Sequence, residues 1–191
     1  MKLYLIRHGE SVANKMQVYA GQTDVMLTEN GRNQAKQIQP VLAQVHFDKV
    51  YSSDLSRAIE TQRLAIPGVE GERTPLLREF AVGTMEGMGF SEVRERLGPS
   101  VSAARDYTAF GGENSEMVCN RLREFLASLE SQNCENVVAF AHNGIMIAMM
   151  EIVLGSGFDR SAIKSSNCAI HVFEYDGIKW RLLAWNYMRP V

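Results

Sequence analysis

The stretch that decides the fold reads Lys2-Leu3-Tyr4-Leu5-Ile6-Arg7-His8-Gly9-Glu10-Ser11. Its apolar part, residues 3–6, shows no alternation of apolar and polar side chains, which is typical of a strand buried on both faces of a parallel sheet. The glycine after it lets the backbone turn close to a ligand. Because open α/β sheets bind ligands at the carboxyl ends of their strands, Arg7 and His8 are candidates for chemistry. A solvated Arg-His pair at a strand end is the alternative, and this stretch alone does not decide between the two.

Length and charge narrow the class of protein. The chain has 191 residues, 46% of them apolar, and a chain of this size buries roughly 70% of its unfolded surface. No Pro/Ser/Gly-rich tract, block of like charge or internal repeat interrupts it, so we expect a single domain over residues 1–191. Twenty basic residues stand against 22 acidic ones. A nucleic-acid binder usually has a basic excess, so no nucleic-acid partner is expected.

The cysteines and the longest apolar stretch indicate where in the cell the protein is expected to be. The cysteines are odd in number and have no metal-like spacing, which favours reduced thiols in a cytoplasmic protein; they are Cys119, Cys134 and Cys168. The apolar run at the amino terminus is too short for a secretory signal. Residues 137–158 contain His142, Asn143, Glu151 and three glycines, so a strand followed by a helix is predicted there rather than a membrane span.

The first half of the chain predicts two helices and a strand. Thr28 is a plausible N-cap for a helix that Pro40 must kink or divide; its apolar stripe is Ala35, Ile38, Leu42 and Val45. A strand near residues 49–51 leads into a second helix that ends at Pro67-Gly68; its predicted stripe is Leu55, Ile59, Gln62 and Ile66. If Ser53 or Asp54 caps this helix, Arg57 lies in its first turn, where backbone donors favour an anion.

The second half repeats the opening pattern and then closes a hairpin. A short polar helix is predicted near residues 91–97, and a longer one by the spacing of Val118, Leu122, Phe125 and Leu129. The apolar strand 136–141 runs directly into His142-Asn143-Gly144. Residues 168–187 predict a hairpin with Asp176-Gly177 as a two-residue type I′ turn. The expected fold is therefore α/β, a three-layer sandwich with a mostly parallel central sheet flanked by helices and an antiparallel edge hairpin at the C-terminus.

Two of the four histidines follow the two most apolar strands. If those strands are neighbours, His8 and His142 converge at one rim. Arg7 and Arg57 each offer a fork of donors suited to phosphate oxygens. The four side chains would form an anion hole, and phosphoryl transfer needs little beyond in-line placement and charge neutralisation.

A nucleophile and a proton donor complete this hypothesis. Histidine has a reference pKa of about 6.5, so a neutral imidazole is available near pH 7 to attack phosphorus. Glu79 lies beside Arg78 in a glycine-rich neighbourhood and is the best-placed carboxyl for protonating a leaving group. Sequence periodicity leaves three rivals open, namely Glu10, Glu86 and Glu113.

The ordered motifs resemble those of the histidine phosphatase (phosphoglycerate mutase-like) superfamily. They are Arg7-His8-Gly9-Glu10-Ser11 with Asn14; Gly21-Gln22-Thr23-Asp24; Leu27-Thr28 with Gly31 and Gln34-Ala35; Tyr51-Ser52-Ser53-Asp54-Leu55 with Arg57-Ala58 and Thr61; Leu77-Arg78-Glu79 with Gly83 and Glu86-Gly87; Gly111-Gly112-Glu113 with Arg121; and Ala141-His142-Asn143-Gly144. An isolated Arg-His-Gly triplet would be weak evidence, whereas the ordered series is specific.

The resemblance implies a role for each matching residue. His8 would be the nucleophile and Glu79 the proton donor. The transferred phosphate would be bound by Arg7, Arg57 and His142 with help from Asn14, and the further substrate contacts expected are Ser11, Gly21, Gln22 and Asn143. Members of the family need no metal, and neither a metal nor another cofactor is expected here. The sequence departs from the family at Asn143, where glycine is usual, at Met85, where an aromatic is common, and at Ala13, where the mutases have tryptophan.

The sequence therefore predicts a cytoplasmic phosphomonoesterase that hydrolyses small phosphorylated metabolites through a phosphohistidine on His8. A phosphoglycerate mutase-type phosphoryl transfer and a catalytically inactive phosphate-binding protein are the alternatives. Residues 87–111 offer only one short helix and a Pro99-Ser100 break from which to build a cover over the site, which favours hydrolysis. The expected partner is a small phosphorylated substrate, with no membrane, and a homodimer is left open.

Overall fold

A mixed six-stranded sheet organises the part of the chain that the structure, a computed structural model, describes: residues 1–98, 105–155, 157, 159 and 163–187. The strands are β1 (Lys2–Arg7), β2 (Lys49–Ser53), β3 (Glu72–Thr74), β4 (Asn136–Ala141), β5 (Ile170–Tyr175) and β6 (Trp180–Tyr187). Their order is β3-β2-β4-β1-β5-β6. The first four strands in this order run parallel to one another. Strand β5 runs antiparallel to β1, and β6 runs antiparallel to β5. The predicted α/β class and the antiparallel C-terminal hairpin are confirmed.

Helices cover both faces of the sheet. They are α1 (Val12–Met16), α2 (Glu29–Gln37), α3 (Gln39–Leu42), α4 (Ser56–Ala65), α5 (Phe90–Leu97), α6 (Ser115–Glu130) and α7 (Asn143–Leu154). One hydrophobic cluster joins the sheet to α6 and α7. A second cluster joins the opposite face to α2, α3 and α4. These two clusters make the three layers that the sequence predicts.

Strand β1 lies in the middle of this arrangement. Leu3 and Leu5 belong to one cluster and Ile6 to the other, and all three side chains are fully buried. Truncating such a side chain to alanine costs about 2–5 kcal/mol of stability. The strand is thus firmly anchored on both faces, as its uniform apolarity predicts, and its end is a fixed platform for the residues that follow.

The two early helices confirm some details and correct others. The hydroxyl of Thr28 accepts a hydrogen bond from Gly31 N at 3.0 Å, so it is the N-cap of α2. Pro40 lies in the first turn of α3 and divides the predicted helix. The predicted cap of α4 is wrong: its N-cap is Leu55, and Asp24 from a distant loop accepts from Ser56 N at 2.7 Å.

The predicted stripe on α4 holds only in part. Its half-buried members are Ile59 and Ile66. The fully covered face of the helix comprises Arg57, Ala58, Thr61, Gln62 and Ala65. Arg57 nevertheless lies in the first turn, as expected.

The C-terminal hairpin turns more widely than predicted. Strands β5 and β6 end at the pair Tyr175 and Trp180, so four residues connect them. The Asp176 carboxylate accepts from Ile178 N at 2.9 Å and from Lys179 N at 2.8 Å. A two-residue type I′ turn is therefore wrong, because this side chain satisfies two backbone donors of a longer loop. Strand β3 has only three residues and an exposed face, which left no apolar signal to predict it.

The structure also bears on the later helices, the cysteines and the long apolar stretch. The polar helix near residues 91–97 is α5, and the longer amphipathic helix is α6. The three cysteines form no disulfide. Within the described ranges, no helix combines the length and the apolar character needed to cross a bilayer. The Pro99-Ser100 break and Phe158, the end of the apolar stretch, lie outside the described residues.

A buried histidine in β5 gives the fold a pH dependence. The ring of His171 accepts a hydrogen bond from Asn186 N at 3.0 Å and contacts Ser165 Oγ at 2.9 Å. Burial, followed by the charge of Arg7, lowers the pKa of His171 from 6.5 to about 3. The unfolded chain binds a proton at this position below about pH 6.5, whereas the folded chain does not until about pH 3. Acidification through this window therefore destabilises the fold.

We expect the free energy of unfolding to fall between pH 7.5 and pH 5.0, with about 2 kcal/mol of the loss due to His171. Urea unfolding at both pH values measures it. His171→Gln should show a smaller loss than the wild type, whatever its absolute stability. His46→Gln, which changes an exposed histidine, is the control and should keep the full loss. An equal loss in His171→Gln and the wild type would contradict the prediction.

Candidate active site

The site forms where β1 and β4 end side by side. Arg7 is paired with Ala141, and His8 N donates to Ala141 O at 2.9 Å. Because the two strands are parallel, the residues that follow them lie at the same edge. The rings of His8 and His142 have centroids 5.1 Å apart, and both side chains are buried. The predicted convergence of the two histidines is confirmed.

A cavity of about 180 Å³ opens at this edge. The lining residues that the sequence analysis proposed as site residues are Arg7, His8, Ser11, Asn14, Gly21, Arg57, Glu79 and Asn143. Those it did not propose are Val18, Tyr19, Ala20, Phe80, Val82, Phe90, Arg105, Tyr107 and Gly144. The other two proposed residues, Gln22 and His142, are not among the residues that line the cavity.

His8 is held in one tautomer. Its Nδ1 lies 2.6 Å from Gly9 O, and since a carbonyl oxygen only accepts, Nδ1 must carry the proton. Burial lowers the pKa of His8 well below 6.5, and the charges of Arg57 and Arg7 lower it further. The imidazole is therefore neutral at pH 7, and Nε2 keeps its lone pair. This is the protonation state that a histidine nucleophile requires.

Arg57 is held by three acceptors. Its guanidinium donates to Gly21 O at 2.8 Å, to Thr23 O at 3.0 Å and from Nε to His142 Nδ1 at 3.2 Å. Since Nδ1 of His142 accepts, its Nε2 carries the proton and donates to Ser53 Oγ at 2.9 Å. Both ring nitrogens of His142 are thus engaged. The direct phosphate contact predicted for His142 stays a prediction, and the contact observed is the one that orients Arg57.

One N–H donor of the Arg7 guanidinium, Nε, is buried and has no partner among the described residues. The Nη1 of Arg7 donates to Ser165 O. Burial lowers the pKa of both Arg7 and Arg57 from 12.5, and the nearby Glu79 carboxylate is the largest influence that raises each. Guanidinium groups stay protonated in proteins, so these are two desolvated cations at one cavity. Such groups favour an anionic ligand.

The carboxyl at this cavity is Glu79, and its rivals are engaged elsewhere. Glu79 accepts from Phe80 N at 2.9 Å and from Gly144 N at 3.1 Å. The carboxylate of Glu10 accepts from Thr28 Oγ1. Those of Glu86 and Glu113 contact the Gly21-Gln22-Thr23 loop and Arg121 respectively. Among the four candidates that the sequence left open, Glu79 is the one that lines the cavity.

Asn14 and Ser11 build a short cap beside His8. Ser11 N donates to Asn14 Oδ1 at 3.1 Å, and Asn14 N donates to Ser11 Oγ at 3.2 Å. Asn167 Nδ2 bridges this cap to His8, since it donates to Asn14 Oδ1 at 3.2 Å and to His8 O at 3.0 Å. Both predicted residues are therefore placed at the cavity, and Ser11 acts in the structure as a cap.

Gln22 contacts the backbone of Glu79, the candidate acid. Its Nε2 donates to Glu79 O at 3.1 Å, and Arg121 Nη2 donates to the same carbonyl at 3.1 Å. Arg121 is in turn paired with Glu113 through contacts of 2.9 and 3.1 Å. The contact from Gln22 therefore helps to hold the backbone of Glu79 in place. The substrate contact predicted for Gln22 stays a prediction.

Three residues that hold the site residues in place are distant in the chain and were not predicted as part of the site. Thr61 Oγ1 accepts from Gly9 N at 3.0 Å and fixes the turn after β1. Ser53 fixes the ring of His142, and Asn167 fixes His8. Thr61 and Ser53 stand within the quoted motifs, which was the available signal. Asn167 and the aromatic lining residues stand in none. Of the three departures from the family, Asn143 lines the cavity, whereas Ala13 and Met85 are buried outside its lining.

Metal ions in proteins are commonly bound by clusters of His, Cys, Asp or Glu side chains. In the ranges that the structure describes, no three His, Cys, Asp or Glu side chains are grouped closely enough to bind a metal ion.

This arrangement of two buried guanidinium groups, a neutral histidine and a carboxyl at the edge of a parallel sheet defines a phosphate-binding α/β protein. The model of the histidine phosphatase superfamily (branch 1) matches residues 3–188. The chain belongs to this superfamily, whose members act on phosphate monoesters through a phosphohistidine intermediate.

Three relatives show the range within the family. The adenosylcobalamin/alpha-ribazole phosphatase of Salmonella typhimurium is 30% identical over 161 residues, which cover 81% of this chain and 80% of that protein. The 2,3-bisphosphoglycerate-dependent phosphoglycerate mutase of Cytophaga hutchinsonii is 30% identical over 188 residues, 91% of this chain and 87% of that protein. The solved structure of a mycobacterial glucosyl-3-phosphoglycerate phosphatase is 28% identical, with a TM-score of 0.86 over 97% of this chain and 98% of that one.

Proposed function

We propose that this protein is a phosphatase that hydrolyses small phosphate monoesters by way of a phosphohistidine at Nε2 of His8. The observation that carries the proposal is the state of His8: a buried, neutral imidazole whose Nδ1 proton is directed to Gly9 O. This leaves a single nucleophilic nitrogen at a cavity flanked by Arg7 and Arg57. Family membership supports the same chemistry.

In the first step, the two guanidinium groups neutralise the charge on the equatorial phosphate oxygens. The Nε of Arg7, which has no partner among the described residues, supplies a donor for one of them. Glu79 takes up a proton as the negatively charged phosphate enters beside it. His8 Nε2 then attacks phosphorus, an N–P bond forms, the P–O bond to the alcohol breaks, and Glu79 gives that proton to the departing oxygen.

In the second step, Glu79 acts as a base. It is now a carboxylate, and it removes a proton from a water molecule that attacks phosphorus. The N–P bond breaks, inorganic phosphate leaves, and both His8 and Glu79 return to the protonation states they had before the attack on phosphorus. His142 is proposed to hold Arg57 beside the phosphate during both steps, on the strength of the 3.2 Å contact between their nitrogens. No step needs a metal.

Hydrolysis is proposed in preference to phosphoryl transfer between two positions of a sugar acid. A mutase must retain the departed alcohol and exclude water, which calls for a substantial cover. In the described parts of residues 87–111, the elements are α5 and a single short turn, Thr108–Phe110. Ala13 stands where the mutases have tryptophan. An inactive binding protein is disfavoured because every residue of the proposed mechanism is present. The activity is assigned to a single cytoplasmic domain, 1–191.

A covalent intermediate should form on His8. Rapid quenching without acid, in buffer containing excess EDTA, should capture acid-labile phosphate on the wild type. His8→Ala should carry no label because it lacks the nucleophile. Glu79→Gln should still be labelled but turn over on the order of a hundredfold more slowly, since it cannot protonate the leaving group. His46→Ala, at an exposed position, is the control and should label normally. Label retained by His8→Ala would refute the assignment.

The substitution Gly144→Ala should displace the Glu79 carboxyl and weaken its proton donation to the leaving group. A Cβ at this position would lie 1.9 Å from Glu79 Oε1 and 2.5 Å from a ring carbon of Phe80, so the carboxylate must move. We expect kcat for an alkyl phosphate to fall on the order of a hundredfold. For 4-nitrophenyl phosphate, whose leaving group needs little protonation, the fall should be much smaller. Gly157→Ala, where no atom of the described residues lies within 4 Å, should leave both rates unchanged. Equal losses on both substrates would argue against Glu79 as the acid.

The balance between hydrolysis and mutase activity is measurable directly. The protein is incubated with 3-phosphoglycerate and a trace of 2,3-bisphosphoglycerate, and both 2-phosphoglycerate and free phosphate are followed. If the enzyme is a hydrolase, water reaches the phosphohistidine, so free phosphate should appear faster than the isomer. Isomer that forms much faster than phosphate would replace the phosphatase assignment with that of a mutase.

A further inference from the structure

The half of the cavity that faces the leaving group is aromatic. Tyr19 contacts Phe90 edge-on with ring centroids 4.8 Å apart, and it lies 6.3 Å from Tyr107. Tyr107 in turn lies 6.0 Å from Phe80, also edge-on. All four rings line the cavity. They form a continuous aromatic wall, here defined as Tyr19, Phe80, Phe90 and Tyr107, and no step of the proposed mechanism uses it.

This wall stands where the alcohol part of a substrate must lie. Glu79 protonates the leaving oxygen in the proposed mechanism, so the alcohol occupies the Glu79 side of the phosphate. Phe80 is the next residue, and its backbone N–H donates to the Glu79 carboxylate at 2.9 Å. The alcohol is therefore brought against an apolar, flat-sided surface, to which an aromatic ring packs well.

A third cation lies over the same wall. The guanidinium carbon of Arg105 is 5.6 Å from the centroid of the Phe80 ring, and Arg105 lines the cavity. Arg7 and Arg57 lie near Glu79, whereas Arg105 has no acidic partner within the described residues. The cavity thus has one carboxylate and three guanidinium groups. A phosphate occupies two of them, which leaves Arg105 for a second anionic group.

The cavity has a volume of about 180 Å³, and the phosphate would take part of it. We therefore restrict the inference to small alcohols.

We propose that the substrates of this enzyme are phosphate monoesters of small aromatic alcohols that carry a second anionic group, and that Arg105 and the aromatic wall select them. This inference rests on the proposed function. The Tyr107 hydroxyl stays neutral in this role, because burial raises its pKa to about 12, so Arg105 is the group at the wall that distinguishes substrates by charge.

The charge part is tested with three substrates of one shape: phenyl phosphate, 4-carboxyphenyl phosphate and 4-(aminomethyl)phenyl phosphate. We expect kcat/KM of the wild type to be about fivefold higher for the carboxyl compound than for phenyl phosphate, in the upper range for a partly exposed ion pair, and lower for the aminomethyl compound. Arg105→Gln should remove these differences, so that the three substrates have similar kcat/KM values. Arg94→Gln removes an exposed charge outside the cavity lining and should keep them.

The aromatic part is tested at Phe90, whose side chain is 44% exposed, so that its truncation should not unfold the chain. Phe90→Ala should lower kcat/KM for phenyl phosphate several-fold more than for ethyl phosphate. Equal losses would overturn the role of the wall, and a charge preference that survives Arg105→Gln would overturn the role of Arg105. Turnover of all three aryl substrates without any charge preference overturns this inference alone. No turnover of any phosphate ester overturns the proposed function and this inference with it.

Discussion

The parallel pairing of β1 with β4 is the constraint on which the rest of the structure depends. Arg7 lies opposite Ala141 in the register, and a slip of one residue would turn every side chain of β1 to the wrong face. Leu3 and Leu5 pack in one cluster and Ile6 in the other, so a shifted register would misfit the close packing on both faces. The register that buries these side chains is also the one that places His8 against His142. Core packing and site geometry are therefore a single requirement.

The electrostatics of the site follow from that burial. Removing a guanidinium group from water is costly, and two such groups at one cavity repel each other. The Glu79 carboxylate offsets part of this cost, since it is the largest influence raising the pKa of both Arg7 and Arg57. The two histidines add no further charge, because burial and the same cations keep them neutral. The phosphate then meets two desolvated cations and an uncharged nucleophile, which is the combination that an attack on a phosphoryl group requires.

The sequence predicts those features that depend on short-range patterns. The strands that end at His8 and His142 are continuous apolar runs, so both their burial and their convergence could be inferred. Features that depend on partners distant in the chain could not. The first turn of α4 is held by Asp24, which lies more than thirty residues upstream of Ser56 and accepts from its backbone N–H. Arg105 lines the cavity beside the Phe80 ring, and it stands in none of the quoted motifs. Distant pairings of this kind carry no periodicity, and they determine which carboxyl and which cations enter the site.

The hydrogen bonds of Glu79 suit this loop residue to the two roles proposed for it, acid and then base. Its carbonyl accepts from Gln22 and Arg121, and its carboxylate oxygens accept from Phe80 N and Gly144 N. Four donors from separate segments thus fix both ends of one residue. A carboxyl held in this way is at the same place when it gives a proton to an alcohol and when it takes one from water. The close approach of α7 that this needs is possible because residue 144 has no side chain.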